Sequence, residues 1–92
     1  MPATDQLAGP DIETQTEQCL RNVATILVAA GSGLEHVLKC SVFLTNMDHF
    51  EAMNVVYARV FGTSRPARTT VAVSQLPTKG LLVEVDCIAY RP

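Results

Sequence analysis

At 92 residues the chain is long enough for one domain, and a domain that small buries only roughly 60 to 65% of the surface its unfolded form exposes. Its composition is 48% hydrophobic and 17% charged, so little polar area is available to cover a marginal core, and an oligomer is expected. A net charge of -2 without a run of Lys or Arg disfavours nucleic acid as a partner. Three scattered Cys residues fit reduced thiols in an intracellular protein better than a disulfide framework.

The opening "MPATDQLAGP" has no basic residue and no apolar stretch, so it does not read as a targeting segment. No run approaches the roughly 20 apolar residues that cross a bilayer, so a soluble single domain over residues 1–92 is expected. Residues 1–11 read as an irregular lead-in.

In "DIETQTEQCLRNVATILVAAGSG", Cys19, Leu20, Val23, Ile26, Leu27 and Ala30 recur at helical spacing. Either a Thr14–Glu17 capping box or Asp11 starts this helix, and Gly31 stops it. "HVLKCSVFLT" reads as a central strand, with Leu38, Cys40, Val42 and Leu44 on one face. "DHFEAMNVVYARVFG" reads as a second helix, opened by Asp48 and Glu51 and ended by Gly62. Its stripe is Phe50, Met53, Tyr57, Val60 and Phe61.

"ARTTVAVSQL" and "LLVEVDCIAY" read as strands separated by the turn-forming "PTKG". Strand, helix, strand makes residues 37–45 and 68–76 parallel neighbours. The last strand can pair with the one before it or lie on the far side of residues 37–45; spacing alone favours the hairpin.

That last strand alternates oddly. Leu81, Val83, Val85, Cys87 and Ala89 suit the underside of the helices, while Leu82, Glu84, Asp86, Ile88 and Tyr90 face the other way. On a lone small domain the two acids are simply solvated. Covered by another subunit, one of them would be partly desolvated and suited to general acid or base work. His36 and His49 lack a partner at ligand spacing and read as surface residues, and "GSG" at 31–33 follows a helix, as a cap does and a phosphate cradle does not. Cys19, Cys40 and Cys87 read as core fillers.

"RPARTTVAVSQLPTKGLLVEVDCIAY" resembles the C-terminal signature of the Rid (YjgF, reactive intermediate deaminase) family: Pro-Ala-Arg, a short strand, a Leu-Pro turn and an acid-alternating final strand. "VLKCSVFLTNMDHFEAMNVVYARVFG" and "QTEQCLRNVATILVAAGSGLEHV" match the preceding strand and helices, so the resemblance runs from residue 12 to 91. It implies an α+β, chorismate-mutase-like mixed sheet with two helices on one face, and places the final strand on the far side of residues 37–45. It also implies a homotrimer with sites between subunits, in the cytoplasm, or in mitochondria where a targeting segment precedes the domain.

The activity implied is hydrolysis of enamines and imines such as 2-aminoacrylate and 2-iminobutyrate to 2-keto acids and ammonia, without a cofactor or metal. Arg68 matches the residue that binds the substrate carboxylate, and Glu84 the acid that orients or activates water. Asn54 matches the helix Asn near the site, Asp86 falls where the family also has an acid, and Thr70 falls where many members have Cys. Pro66 would fix the approach to Arg68 and bias Arg65 towards extended structure. The family's N-terminal strands, with their Gly-Pro-Tyr-Ser and Ser-Gly-Gln segments, have no counterpart in "MPATDQLAGP", which would leave the final strand an open edge. A non-catalytic binding or assembly module is the alternative reading.

Overall fold

The computed structural model describes residues 9–64 and 66–92. The bias expected at Arg65 lies outside them. Helix α1 spans Ile12–Ala29 and begins at Asp11, whose carboxylate accepts from the Thr14 backbone N–H (2.9 Å) and hydroxyl (2.6 Å). Those bonds, the hydroxyl first, hold the Asp11 carboxyl below its ordinary range. Asp11 is thus the cap, and Thr14 lies inside the helix. Glu17, the other half of the alternative capping box, instead pairs with Arg21 at 2.9 Å and reaches Arg59 at 3.2 Å.

At the other end, Ser32 N–H donates to the Leu27 carbonyl (2.7 Å) and Gly31 N–H to that of Val28 (3.0 Å). That double closure needs a left-handed residue between, and Gly31 supplies it at φ 83°. The buried face of α1 is Ile12, Gln15, Thr16 and Leu20, displaced towards its N-terminus from the expected stripe; Ile26 is 43% exposed and Ala30 is exposed. Gln15 explains the displacement. Its amide donates to the Gly9 and Gly80 carbonyls, and its carbonyl accepts from Leu82 N–H at 2.7 Å, so α1 is tied to the chain entering the last strand.

Strand β1 spans Val37–Leu44 and lies in the centre of a three-stranded sheet. Strand β2, Ala67–Ala72, runs parallel on one side; strand β3, Val83–Ala89, runs antiparallel on the other. The hairpin favoured by spacing does not form. Residues 73–82 carry the chain from one edge to the other, and β2 stops at Ala72 because β1 offers no ladder beyond Leu44, whose carbonyl takes a last bond from Val73 N–H at 2.7 Å. Between Val37 and Lys39 the pairing with β3 shifts by one residue. Leu38 is the extra residue, so Val37 is buried and Leu38 is 55% exposed, the reverse of strict alternation.

Helix α2, Phe50–Phe61, is led in by a 3-10 turn over Met47–His49. Asn46, and not the expected Asp48–Glu51 pair, caps that turn by accepting from Asp48 N–H at 2.9 Å. Gly62 ends the helix at φ 61°. Met53, Val56, Tyr57 and Phe61 turn inward, with Phe50 and Val60 half-buried beside them. The core is one layer between the helices and the sheet, centred on Leu20, Cys40, Val42, Leu44, Met53 and Val83. Among the described residues no helix lies on the opposite face of the sheet.

Candidate functional site

In the parallel register Arg68 of β2 sits beside Cys40 of β1, and Cys40 points into the core. Arg68 therefore points to the helix side, at the edge of the sheet where α2 passes. There its Nη1 donates to Asn54 Oδ1 at 2.6 Å, and the guanidinium carbon lies 4.7 Å from the Tyr57 ring centroid and 5.4 Å from that of Phe50. Two aromatic faces and one amide hold the side chain in a single direction. The guanidinium opens on a cleft of about 390 Å³ lined by Asn54, Tyr57, Phe61, Ser64, Pro66 and Arg68.

The Tyr57 hydroxyl is buried on the Cys40 side of the ring that stacks on the guanidinium, and Thr70 Oγ1 is buried on the same face of β2 two residues beyond Arg68. Burial pushes the Tyr57 phenol up, with the Cys40 sulfur adding to the rise, so it stays a neutral donor. A guanidinium held open on a cleft suits a small carboxylate.

Glu84 and Asp86 are elsewhere. Glu84 pairs with Phe43 and Asp86 with Ser41, on the face away from the helices, and both are exposed. The fold thus brings Arg68, Asn54 and Thr70 to one side of the sheet and leaves Glu84 on the other. Tyr57, read from periodicity only as core, is the residue that this reading missed; an aromatic three residues after Asn54, on the same helix, was the available signal.

Below the clamp Cys40 and Cys87 face each other across β1 and β3, their sulfurs 3.1 Å apart. The Cys87 hydrogen bond brings the Cys40 thiol down to about 7 against the opposing effect of burial, with help from the Tyr57 hydroxyl and the Arg68 charge; the same bond pushes Cys87 up. Cys19, on α1, donates to the Val83 carbonyl (3.6 Å) and is pushed up by burial. His36 is not the plain surface residue expected: its ring packs 4.9 Å from that of Tyr90 and its Nδ1 is buried.

The family model described as Endoribonuclease L-PSP matches residues 1–91. A RutC family protein of Pyrococcus horikoshii is 48% identical over 90 residues, which are 98% of this chain and 71% of the relative. The mitochondrial protein Mmf1 of Schizosaccharomyces pombe is 46% identical over 79 residues, 84% of this chain and 49% of the relative. Among solved structures, Escherichia coli TdcF with bound serine superimposes with a TM-score of 0.83 at 35% identity, covering 89% of this chain and 66% of that one. The chain thus spans between about half and about 70% of the length of these proteins. No helix among the described residues is long and apolar enough to cross a membrane. The match over nearly the whole sequence agrees with the mixed sheet and its two helices, and the chain belongs to the endoribonuclease L-PSP family, also called YjgF, RutC or Rid.

Proposed function

We propose that the chain is the carboxylate-binding half of a hydrolase that deaminates 2-imino acids and their enamine tautomers. The observation that carries this reading is the Arg68 guanidinium, fixed by Asn54 and two rings at the mouth of a cleft. Asn54 occupies one of five N–H donors, so a forked pair remains for a carboxylate, each such bond contributing about 1.5 to 3 kcal/mol. The serine held by TdcF is a small amino-acid carboxylate of the kind this arrangement suits.

With the carboxylate held, the imine carbon is placed for attack. Water adds to that carbon: a C–O bond forms, the C=N electron pair moves to nitrogen, and nitrogen takes a proton. The carbinolamine then loses ammonia to leave the 2-keto acid. Glu84 of a second copy is the acid that orients this water, because Glu84 of the same copy is on the wrong face of the sheet. This requires the homotrimer that the family resemblance implies, with sites between subunits and no cofactor. The exposed Val71, Ile88 and Tyr90 are the apolar surface such an assembly would cover.

The experiment is loss of 2-iminobutyrate in the presence of the purified chain, compared with Arg68→Ala. Acceleration that disappears with Arg68 supports hydrolysis; equal rates for the two proteins refute the assignment. Because Arg68 and Glu84 are on opposite faces, a module that binds carboxylates without turnover is the second reading. It predicts that 2-ketobutyrate perturbs the Arg68 site in a chain that leaves iminobutyrate untouched.

A further inference from the structure

Cys40 and Cys87 are direct partners in the antiparallel ladder. Thr45 N–H bonds to the Leu82 carbonyl, which puts this position in the hydrogen-bonded class although Leu82 N–H itself goes to Gln15. Counting along the register, every second pair from there is of the same kind, and Cys40–Cys87 falls in the alternate, non-hydrogen-bonded class. In that class the Cα atoms are about 4.5 Å apart, at the short end of the span of disulfides. The sulfurs, at 3.1 Å, need to close by only about 1 Å to bond. Cys40 is fully buried, whereas Cys87, on the edge strand, is partly open. Cys19 bonds to a carbonyl instead and has no such partner among the described residues.

We propose that Cys40 and Cys87 are a modification site, a dithiol that small hydroperoxides close to an intramolecular cross-strand disulfide beneath Arg68. With the pair singly deprotonated at Cys40, the oxidant reaches the Cys87 sulfur as its proton passes to the Cys40 thiolate. An S–O bond forms, the peroxide O–O bond breaks, and the departing hydroxide or alkoxide takes a proton. The Cys40 sulfur, giving up its proton, then attacks the sulfenic acid; the S–S bond forms, the S–O bond breaks, and hydroxide leaves as water. Two thiols lose two electrons, and the peroxide becomes two waters, or water and an alcohol.

The pair faces Tyr57 from α2 and Arg68 from β2, the charge of Asp86 acts on it from the opposite face of β3, and α1 brings Cys19 near the start of β3. Hydrogen bonding between the two sulfurs, with the Arg68 charge, releases the first proton near pH 7. The thiolate is the reactive form, so closure accelerates as pH rises through about 7, well below the range of an ordinary thiol. This site does not depend on the imine reading, and its readouts are thiol content and mass.

The test is treatment of the full chain with a few equivalents of hydrogen peroxide, followed by intact mass and a non-reducing peptide map. The expected product is lighter by about 2 Da, has Cys40 linked to Cys87, retains a free Cys19 and is restored by dithiothreitol. Cys19→Ser keeps the mass change, and Cys87→Ala, a substitution at a half-exposed position, abolishes it. Linkage through Cys19, cross-linking only between chains, or three free thiols after treatment would overturn the proposal.

Discussion

The two faces of the sheet treat polar side chains in opposite ways. Beneath the helices, Arg68, Asn54, Tyr57 and Thr70 are inserted at the margin of an apolar layer, where neighbouring rings and an amide hold the charge in place. On the far face, Glu84 and Asp86 stand exposed in line with Ile88, with no hydrogen bond from another side chain among the described residues. One face is organised within a single chain; the other carries exposed acids and apolar side chains. Under the proposed function the carboxylate clamp is built within the chain itself, whereas general acid or base work by Glu84 requires a second copy.

The largest contrast lies in stability. Leu44→Ala empties a fully buried position and is expected to cost about 2 to 5 kcal/mol in urea unfolding, while Ile88→Ala on the open face costs an isolated chain under about 0.5 kcal/mol. If Ile88→Ala instead lowers stability in a concentration-dependent way, the open face is covered by further copies in solution. Equal, concentration-independent losses at the two positions would abolish the distinction between the faces.

Next comes the clamp. Arg68→Ala is expected to lower kcat/KM for 2-iminobutyrate by about a hundredfold or more, corresponding to roughly 3 kcal/mol from charge-assisted bonds. Arg68→Lys recovers little, since an ammonium supplies no fork and stacks poorly on Tyr57 and Phe50. Full recovery by Lys would show that only the charge matters. Asn54→Ala removes one fixing bond and leaves both rings, so about a tenfold loss is expected, near 1.4 kcal/mol. An Asn54→Ala defect as deep as that of Arg68→Ala would assign Asn54 a direct contact with substrate.

Much of the fold is legible in the residues, for reasons that differ by element. Gly31 and Gly62 end the helices where expected because both ends need a positive φ. The period of α2 identifies its buried face almost completely. The period of α1 is less telling, because Gln15 is buried by hydrogen bonds to Gly80 and Leu82, which are distant in sequence and invisible to periodicity. Strand order was open for the same reason: local spacing favoured a hairpin, and only the family resemblance moved the last strand across β1. At the candidate site, that resemblance named Arg68 and Asn54, and the structure joins them at 2.6 Å. Tyr57 and Cys40 look like core from their own positions, and only the arrival of β2 beside β1 gives them a charged neighbour.

The smallest effect tests the bulge. Strict alternation puts Leu38 in the core with Cys40, Val42 and Leu44, whereas the shift in pairing between Val37 and Lys39 turns it out to 55% exposure and buries Val37 at 8%. Leu38→Ala is then a surface substitution and should change unfolding free energy by less than about 0.5 kcal/mol. Val37→Ala, one residue away and smaller in the volume removed, should cost more, because it empties a packed position. The larger side chain thus carries the smaller penalty. Finding instead that Leu38→Ala is the costlier of the two would mean that β1 runs without the bulge, with Leu38 in the core and Val37 turned out.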